Sequence, residues 1–544
     1  MSGGGEDISR QIDRLLEKYN RADSPGAAVL VQLHGENVYQ KCAGMASLEH
    51  QIPITPEISF DLASVSKHLT AFSVLYLEQQ GKLDLNDDIR QYLPELPDFG
   101  KTVTIENLLH QTSGLWEFWT TLNRYSGFMS RDYITLKDVL ILLRGQRELI
   151  FPPGSRYAYT NTNYSLLAEI VSRVTGVSFG RWTEENVFRP LGMKDTHFQE
   201  DCRIPIMRKA SAYRMGNGRL VLARPSNVEI PGSAHAFTTL SDMAKWIGNF
   251  RTKRLGGEAV FSKMFKKGTL NSGEEMSYAG GLIVTNHNGK EIVEHSGQTG
   301  GYKTMLIYCP EKELGIVVLA NERSINAHRL SHRILALYLG EERETESGQS
   351  RENEKPFIEL DGSVLRKLTG GYRLEDSGLP AGFYIDGGYL VGHILGVGKE
   401  YLFPVSETEF FDYGRSLKIT FTINVSGSVE AVSIFMRGRT SMASRIVNDR
   451  ESSLEKFTGT YYCAALGSVC EIREETNGLI LSHRRYGDIT LFSIGAGQYV
   501  GGWGFLSFHH DPDGAVDGFI LEDELFGYKT LSFSRVPDTL SMIR

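Results

Sequence analysis

The chain has 544 residues, 41% of them apolar and 23% charged, with a formal net charge of −8 at neutral pH. At roughly 100–200 residues per domain this length implies three or four folding units. The modest charge, with no dense Lys/Arg stripe, argues against nucleic acid and anionic membrane as partners. Five scattered cysteines, Cys42, Cys202, Cys309, Cys463 and Cys470, argue against a disulfide framework or a paired zinc site, so buried free thiols are expected.

The first twenty residues, MSGGGEDISRQIDRLLEKYN, are polar and acidic and lack the basic and apolar regions of a signal peptide. No apolar run approaches membrane-spanning length, and a cytoplasmic protein is expected. AAVLVQLHGENVYQKCAG then reads as a β-hairpin turning at His34 to Asn37. The approach ISFDLA leads to Ser64 and to an amphipathic helix, Val65 to Gln80, with Val65, Leu69, Phe72, Leu75 and Tyr76 on one face and Gly81 as its C-cap. After FPPGSRY comes Tyr159-Thr160-Asn161 and a helical stretch, Tyr164 to Val174. Gly176-Val-Ser178-Phe-Gly180 fits the Gly-x-Ser-x-Gly nucleophile elbow, but Gly176 closes a helix instead of following a strand, so the match is set aside. His295-Ser296-Gly297 precedes a second hairpin, MLIYCPEKELGIVVLAN, turning at Pro310 to Leu314. The sheet implied is largely antiparallel.

Residues 341–356, EERETESGQSRENEKP, read as a linker. Beyond it the texture changes to short alternating strands with Gly, Asp and Asn turns, and the region repeats itself. Leu365-Arg-Lys-Leu-Thr-Gly-Gly-Tyr372 returns as Leu454-Glu-Lys-Phe-Thr-Gly-Thr-Tyr461, and Phe421 to Val432 returns as Phe508 to Phe519 at nearly the same offset. Each unit of roughly 90 residues has room for about eight strands, enough to close a small barrel. The expected organisation is a catalytic domain over 1–340, the linker 341–356, and β-barrels over 357–450 and 451–544.

Ser64 and Lys67, three apart on a helix, share a face, so a neutral Lys67 amine can take the Ser64 proton. Spacing alone is weak, because Ser453-Leu-Glu-Lys456 fits it too and has no catalytic company. At Ser64 the company is present. Tyr159 can shuttle a proton, and Asn161 can hold Lys67 and a substrate amide; their bland alternative is a turn tyrosine with an asparagine N-cap. His295, expected on an edge strand, can bond substrate or Tyr159, and Gly297 would let a substrate backbone come close. His287-Asn288-Gly289 has the same form but reads as a plain turn. There is no HExxH, and His509-His510-Asp511 lies in a repeat turn, so neither metal nor cofactor is expected.

Ser64-x-x-Lys67, Tyr159-x-Asn161 and His295-x-Gly297 in this order, with LLHQTSGL (108–115), FRPLGM (188–193) and HSGQTGGY (295–302), resemble the serine penicillin-recognising hydrolases over residues 10–340. That family includes class C β-lactamases, D,D-carboxypeptidases, esterases and D-aminopeptidases. The resemblance implies an α+β fold: a β-lactamase-like domain, with an antiparallel sheet flanked by helices plus a helical subdomain, followed here by two small antiparallel β-barrels. It also implies an oxyanion hole from the amides of Ser64 and Gln298. The lactamases usually carry Lys-Thr-Gly as third motif, and this chain has none. His295 stands in its place, and with the duplicated barrels the chain looks most like the bacterial D-aminopeptidases. An amidase or aminopeptidase with D-residue preference is therefore expected. A carboxylesterase, a weak β-lactamase or D,D-carboxypeptidase, and a non-turnover ligand sensor or scaffold are the alternatives. The expected partner is a small peptide, amide or ester substrate, and a homodimer is compatible with these features. The resemblance further implies that a loop of the second barrel restricts the cleft, with His483 to Asp488 as the candidate, acting through Arg484, Arg485 or Asp488. Its bland reading is a charged hairpin tip.

Overall fold

The computed structural model describes residues 8–128, 132–216, 219–223, 227–340, 357–358, 360–386, 388–394, 398–412, 417–425, 427–436, 439–446, 453–475, 478–495, 497–523 and 528–537. The expected linker, 341–356, lies outside the described residues. The chain divides into two units, Met1–Phe118 with Ser130–Glu344, and Trp119–Met129 with Thr345–Arg544.

The first unit is built around a six-stranded sheet. Its strands are β1 (Ala27–Leu33), β2 (Glu36–Ala43), β3 (Ile283–His287), β4 (Lys290–Thr299), β5 (Tyr302–Cys309) and β6 (Leu314–Ala320). They lie in the order β3-β4-β5-β6-β1-β2, with antiparallel pairings throughout. Both expected hairpins form, and β1 and β6 are almost wholly apolar because both their faces are covered. The helices that bear on the site are α1 (Ile8–Glu17), α2 (Ser66–Gln79), α3 (Asn161–Thr175), α4 (Leu240–Thr252) and α5 (Ala327–Tyr338). One sheet face packs on α1 and α5 through Leu16, Val31, Ile292, Ile307 and Ile334. On the other face α4 comes so close that a Cβ on Gly315 would lie 2.2 Å from Ile247 Cγ2. Behind α4 stands α2, with Phe72 edge-on to Trp246 at 5.3 Å.

The single apolar face expected for α2 is corrected here. Ser66, Lys67, His68, Thr70 and Ser73 are as buried as Leu69 and Phe72, so the helix is enclosed on nearly all sides. Burial of its polar positions is tolerated because each finds a partner. Thr70 Oγ1 donates to the Gly232 carbonyl at 2.8 Å, Ser73 Oγ to that of Leu69 at 2.8 Å, and Ser66 Oγ accepts from Ala236 N at 3.1 Å. Trp246 Nε1 donates to His68 Nε2 at 2.5 Å, which leaves Nδ1 to donate to the Val65 carbonyl. Gly81, at φ +67°, follows the C-cap Gln80. Gly176 caps α3 at φ +73°, in accord with its exclusion as a nucleophile elbow.

The second unit contains two closed antiparallel barrels of eight strands each. The first closes by pairing Gly370–Leu374 with Arg439–Arg445, the second by pairing Gly459–Cys463 with Tyr528–Arg535. The sequence repeat corresponds to a repeated set of bonds. Tyr372 donates to the Leu368 carbonyl at 3.1 Å and Tyr461 to that of Phe457 at 2.8 Å. Arg445 donates to the Thr369 carbonyl at 2.8 Å and Arg535 to that of Thr458 at 2.6 Å. The segment Trp119–Met129 belongs with the second barrel: Tyr125 meets Trp503 edge-on at 6.0 Å, and its carbonyl accepts from Ser468 Oγ at 2.7 Å. Among the described residues no helix is long and apolar enough to cross a membrane.

Candidate active site

The strand Phe60–Asp61, paired with Ala236–Thr238, leads into a 3-10 turn, Ala63–Val65, that opens α2. Ser64 therefore precedes the α-helix proper by one short turn. Ala63 sits at φ +48°, a left-handed conformation that costs a non-glycine residue roughly 1–2 kcal/mol. Its neighbours hold it there. Asp61 Oδ1 accepts from Ala63 N at 2.8 Å, Leu62 N donates to the Ala236 carbonyl at 2.9 Å, and Thr304 Oγ1 donates to the Leu62 carbonyl at 2.7 Å.

Lys67 is completely buried beneath Ser64. Its Nζ lies 3.2 Å from Ser64 Oγ, 2.8 Å from Asn161 Oδ1 and 2.8 Å from the Ser233 carbonyl oxygen. Burial draws the Lys67 pKa down to about 7, against the opposing pull of the Glu117 carboxylate. A neutral amine has two N–H bonds and one lone pair. Asn161 Oδ1 and the Ser233 carbonyl can only accept, so they take the two N–H bonds and the lone pair is left to the Ser64 hydroxyl. Tyr159, half-buried, hydrogen-bonds Ser64, and burial pushes its phenol well above the usual value. Its ring centre lies 4.8 Å from Lys67 Nζ.

Asn161 is not the N-cap of α3. Thr160 takes that role by accepting from Thr162 N at 3.2 Å, which frees the Asn161 amide for Lys67. The other end of that amide, Nδ2, donates to Glu117 Oε1 at 3.0 Å, which fixes its orientation. The LLHQTSGL segment braces the same turn: Gln111 Oε1 accepts from Thr160 N at 3.1 Å and from Asn163 Nδ2 at 2.7 Å. Sequence reasoning missed Glu117 and Ser233. Glu117 lies two residues beyond the recognised LLHQTSGL segment, whereas Ser233 contributes a backbone carbonyl.

His295 lies on β4, which is not an edge strand of the sheet as expected. β3 covers Lys290 to Glu294 and stops, so among the described residues His295 to Thr299 pair with β5 alone. The His295 ring is buried beside Tyr159 and Tyr278, each with its centre 6.1 Å away. Burial lowers its pKa to about 4, so it is neutral. Nδ1 lies 2.7 Å from the Ser296 carbonyl, an acceptor, so Nδ1 carries the proton and Nε2 is a lone pair, buried and without a hydrogen-bond partner among the described residues. A Cβ on Gly297 would lie 2.3 Å from the Leu62 carbonyl oxygen and 2.2 Å from Thr304 Oγ1. The glycine lets β4 approach the turn that carries Ser64. Gln298 is exposed, and its side chain accepts from Lys303.

Arg484 and Arg485 lie in another part of the chain, in the turn between strands Gly478–His483 and Gly487–Gly495 of the second barrel, and Asp488 lies at the start of the latter strand. Asp488 is engaged there by Arg473 at 2.6 Å and Ser482 Oγ at 2.7 Å.

Known proteins resemble this chain in both sequence and fold. It is 26% identical over 430 residues to penicillin-binding protein 4* of Bacillus subtilis, a match covering 76% of this chain and 94% of that protein. It is 28% identical over 331 residues to protein flp of Staphylococcus aureus; that match covers 58% of this chain and spans 64% of the relative's length. The octameric penicillin-binding protein homologue of Pyrococcus abyssi superposes with a TM-score of 0.56 at 25% identity, over 81% of this chain and 100% of that one. The D-amino acid amidase of Ochrobactrum anthropi SV3 shares the fold, with a TM-score of 0.52 at 21% identity over 62% of this chain and 99% of its own. The family described as Beta-lactamase matches residues 12–341, more than half of the chain, and the chain belongs to that family.

Proposed function

We propose that this protein is a serine hydrolase that opens amide and peptide bonds through an acyl-enzyme on Ser64, working as an aminopeptidase or amidase with preference for D-residues. The observation that carries the reading is the bonding around Lys67 Nζ, where two obligate acceptors leave the lone pair to the Ser64 hydroxyl. In this reading Lys67 takes the proton as Ser64 Oγ bonds to the substrate carbonyl carbon. The oxyanion meets the amides of Ser64 and Gln298, donors worth about 10² to 10³ each in rate. As the carbon–nitrogen bond breaks, the leaving nitrogen takes a proton from the Tyr159 phenol, and Lys67 returns one to Tyr159. Water then attacks the ester, Lys67 takes its proton, and Ser64 recovers its own as the acid leaves.

The His295 lone pair bears on the substrate. A buried Nε2 with no donor to accept from among the described residues favours a substrate that offers N–H, such as a free α-ammonium or a primary amide, and disfavours a carboxylate. The D-residue preference rests on the resemblance of a His-x-Gly catalytic unit followed by two barrels to the D-aminopeptidases. A panel of D-amino acid amides, L-amino acid amides, short acyl esters and a cephalosporin tests the proposal, with the D-amides turned over most efficiently. Turnover of the esters or the cephalosporin with both amide series untouched would overturn it, as would a stable adduct without multiple turnover. His295→Lys, which puts a cation where the lone pair was, is expected to lower kcat/KM on the amides at least about tenfold and to improve use of carboxylate-bearing substrates. An unchanged ratio between the two classes would contradict the role given to His295.

A further inference from the structure

Strand β4 has two faces, and only one serves the candidate active site. Because alternate residues of a strand point to opposite faces, Glu294 lies on the side of the sheet away from His295, against α5. There it meets His328 and His332, which are one helical turn apart. His332 Nε2 is 2.7 Å from Glu294 Oε2, and the two imidazoles stack with centres 4.2 Å apart. One donor atom from each of the three residues lies within 4.8 Å of the other two. The Glu294 carboxylate is oriented from behind by Thr285 Oγ1, which donates to Oε1 at 3.3 Å.

We propose that Glu294, His328 and His332 bind one zinc ion. Two imidazole nitrogens and one carboxylate oxygen form a donor set suited to zinc, which takes four ligands at about 2.0–2.2 Å and so needs donors roughly 3.3 Å apart. The three donors have at most about 1.5 Å to close to reach that spacing. The hydrogen bond to Glu294 from Thr285 is the kind of outer support that holds a metal-bound carboxylate in place. Glu294 is buried and His328 exposed, so the open coordination position faces solvent, where water completes the shell. His287, at the end of β3, is a second claimant for that position, its ring 5.9 Å from that of His332. The ion ties α5 to β4 on the side of the sheet remote from the reacting groups. It stabilises the first unit without taking part in hydrolysis, and the inference stands independently of the activity proposed above. The three ligands are dispersed along the chain, in a strand and in a helix outside any HExxH pattern, which is why inspection for such motifs passes over them.

The test uses the full untagged chain, stripped with a chelator and titrated with zinc, with cobalt(II) as the spectroscopic stand-in. The expected result is about one ion per chain, visible cobalt absorption of tetrahedral type, and a Tm that rises with zinc. Changing both His328→Gln and His332→Gln is expected to weaken binding by more than about 100-fold and to abolish the absorption and the Tm response. His328→Gln alone alters an exposed side chain, so it reads out the site even where the double variant does not fold, with binding at least about tenfold weaker. No binding by the unaltered chain, or unchanged cobalt absorption in His328→Gln, would overturn the proposal.

Discussion

Among the described residues Lys67 Nζ has three hydrogen-bonding neighbours, and of these only the Ser64 hydroxyl can give it a proton. Since burial draws Lys67 to about 7, kcat/KM is expected to rise as the pH climbs through about 7 and the amine becomes neutral. His295 is already neutral across that range, and Tyr159 loses its proton only far above it, so the limb belongs to Lys67. Glu117 favours the ammonium form; Glu117→Gln is therefore expected to move the limb to lower pH. The same change loosens the Asn161 amide and should reduce kcat, by up to about 10²-fold if the geometry slips by an ångström. A limb that stays in place in Glu117→Gln would assign it to another group. Ser64, Lys67, Tyr159 and Asn161 were legible in sequence as candidates, through side-chain type and the order of their motifs, and the structure places Lys67 Nζ within hydrogen-bonding distance of Ser64 and Asn161. Ser233 was not legible, because it acts through a carbonyl that every residue possesses. Glu117 was not, because a carboxylate earns its place only once the fold has buried it beside Asn161.

At the scale of elements, β4 and the turn before α2 are fitted to each other with no space between them. Gly297→Ala puts a methyl group into the Leu62 carbonyl and the Thr304 hydroxyl, both of which are fixed by their own hydrogen bond. The expected cost is about 1–3 kcal/mol of stability in urea unfolding, with a loss of activity as the Ser64 turn is displaced. A variant with unaltered stability and turnover would show that the turn can move freely. The hairpins of this sheet were legible because apolar runs bracket their turn residues. The enclosure of α2 was not: nothing local to Ser66, Lys67 and His68 shows that Trp246, Ala236 and the Ser64 turn close over them. The truncation of β3 at Glu294, which opens one edge of β4, is a tertiary fact with no local signal.

In the whole molecule, a duplicated barrel follows the catalytic unit, and its repeat was the most legible feature beyond the family motifs. Leu, Thr, Gly and Tyr recur because each barrel opens with the same turn, closed by the same tyrosine-to-carbonyl bond. The arginines that pin those turns were not recognised. Arg445 bonds the carbonyls of Thr369 and Val429, and Arg535 those of Thr458 and Val516, equivalent positions in the two barrels. Arg445→Ala and Arg535→Ala are each expected to cost about 1.5–3 kcal/mol in denaturant unfolding of the second unit. Unequal effects, with one variant silent, would mean that the repeat is geometric without being energetic. The assignment of Trp119–Met129 to the barrel unit was also beyond sequence, since its partner Trp503 lies far along the chain. The proposed function turns on one covalent event, the acylation of Ser64. The most direct measurement is intact-protein and peptide mass spectrometry after exposure to a fluorophosphonate, on the unaltered chain and on Ser64→Ala. A single adduct on Ser64, absent from Ser64→Ala together with turnover, is the predicted result; an adduct on another residue, or full turnover in Ser64→Ala, would contradict the account.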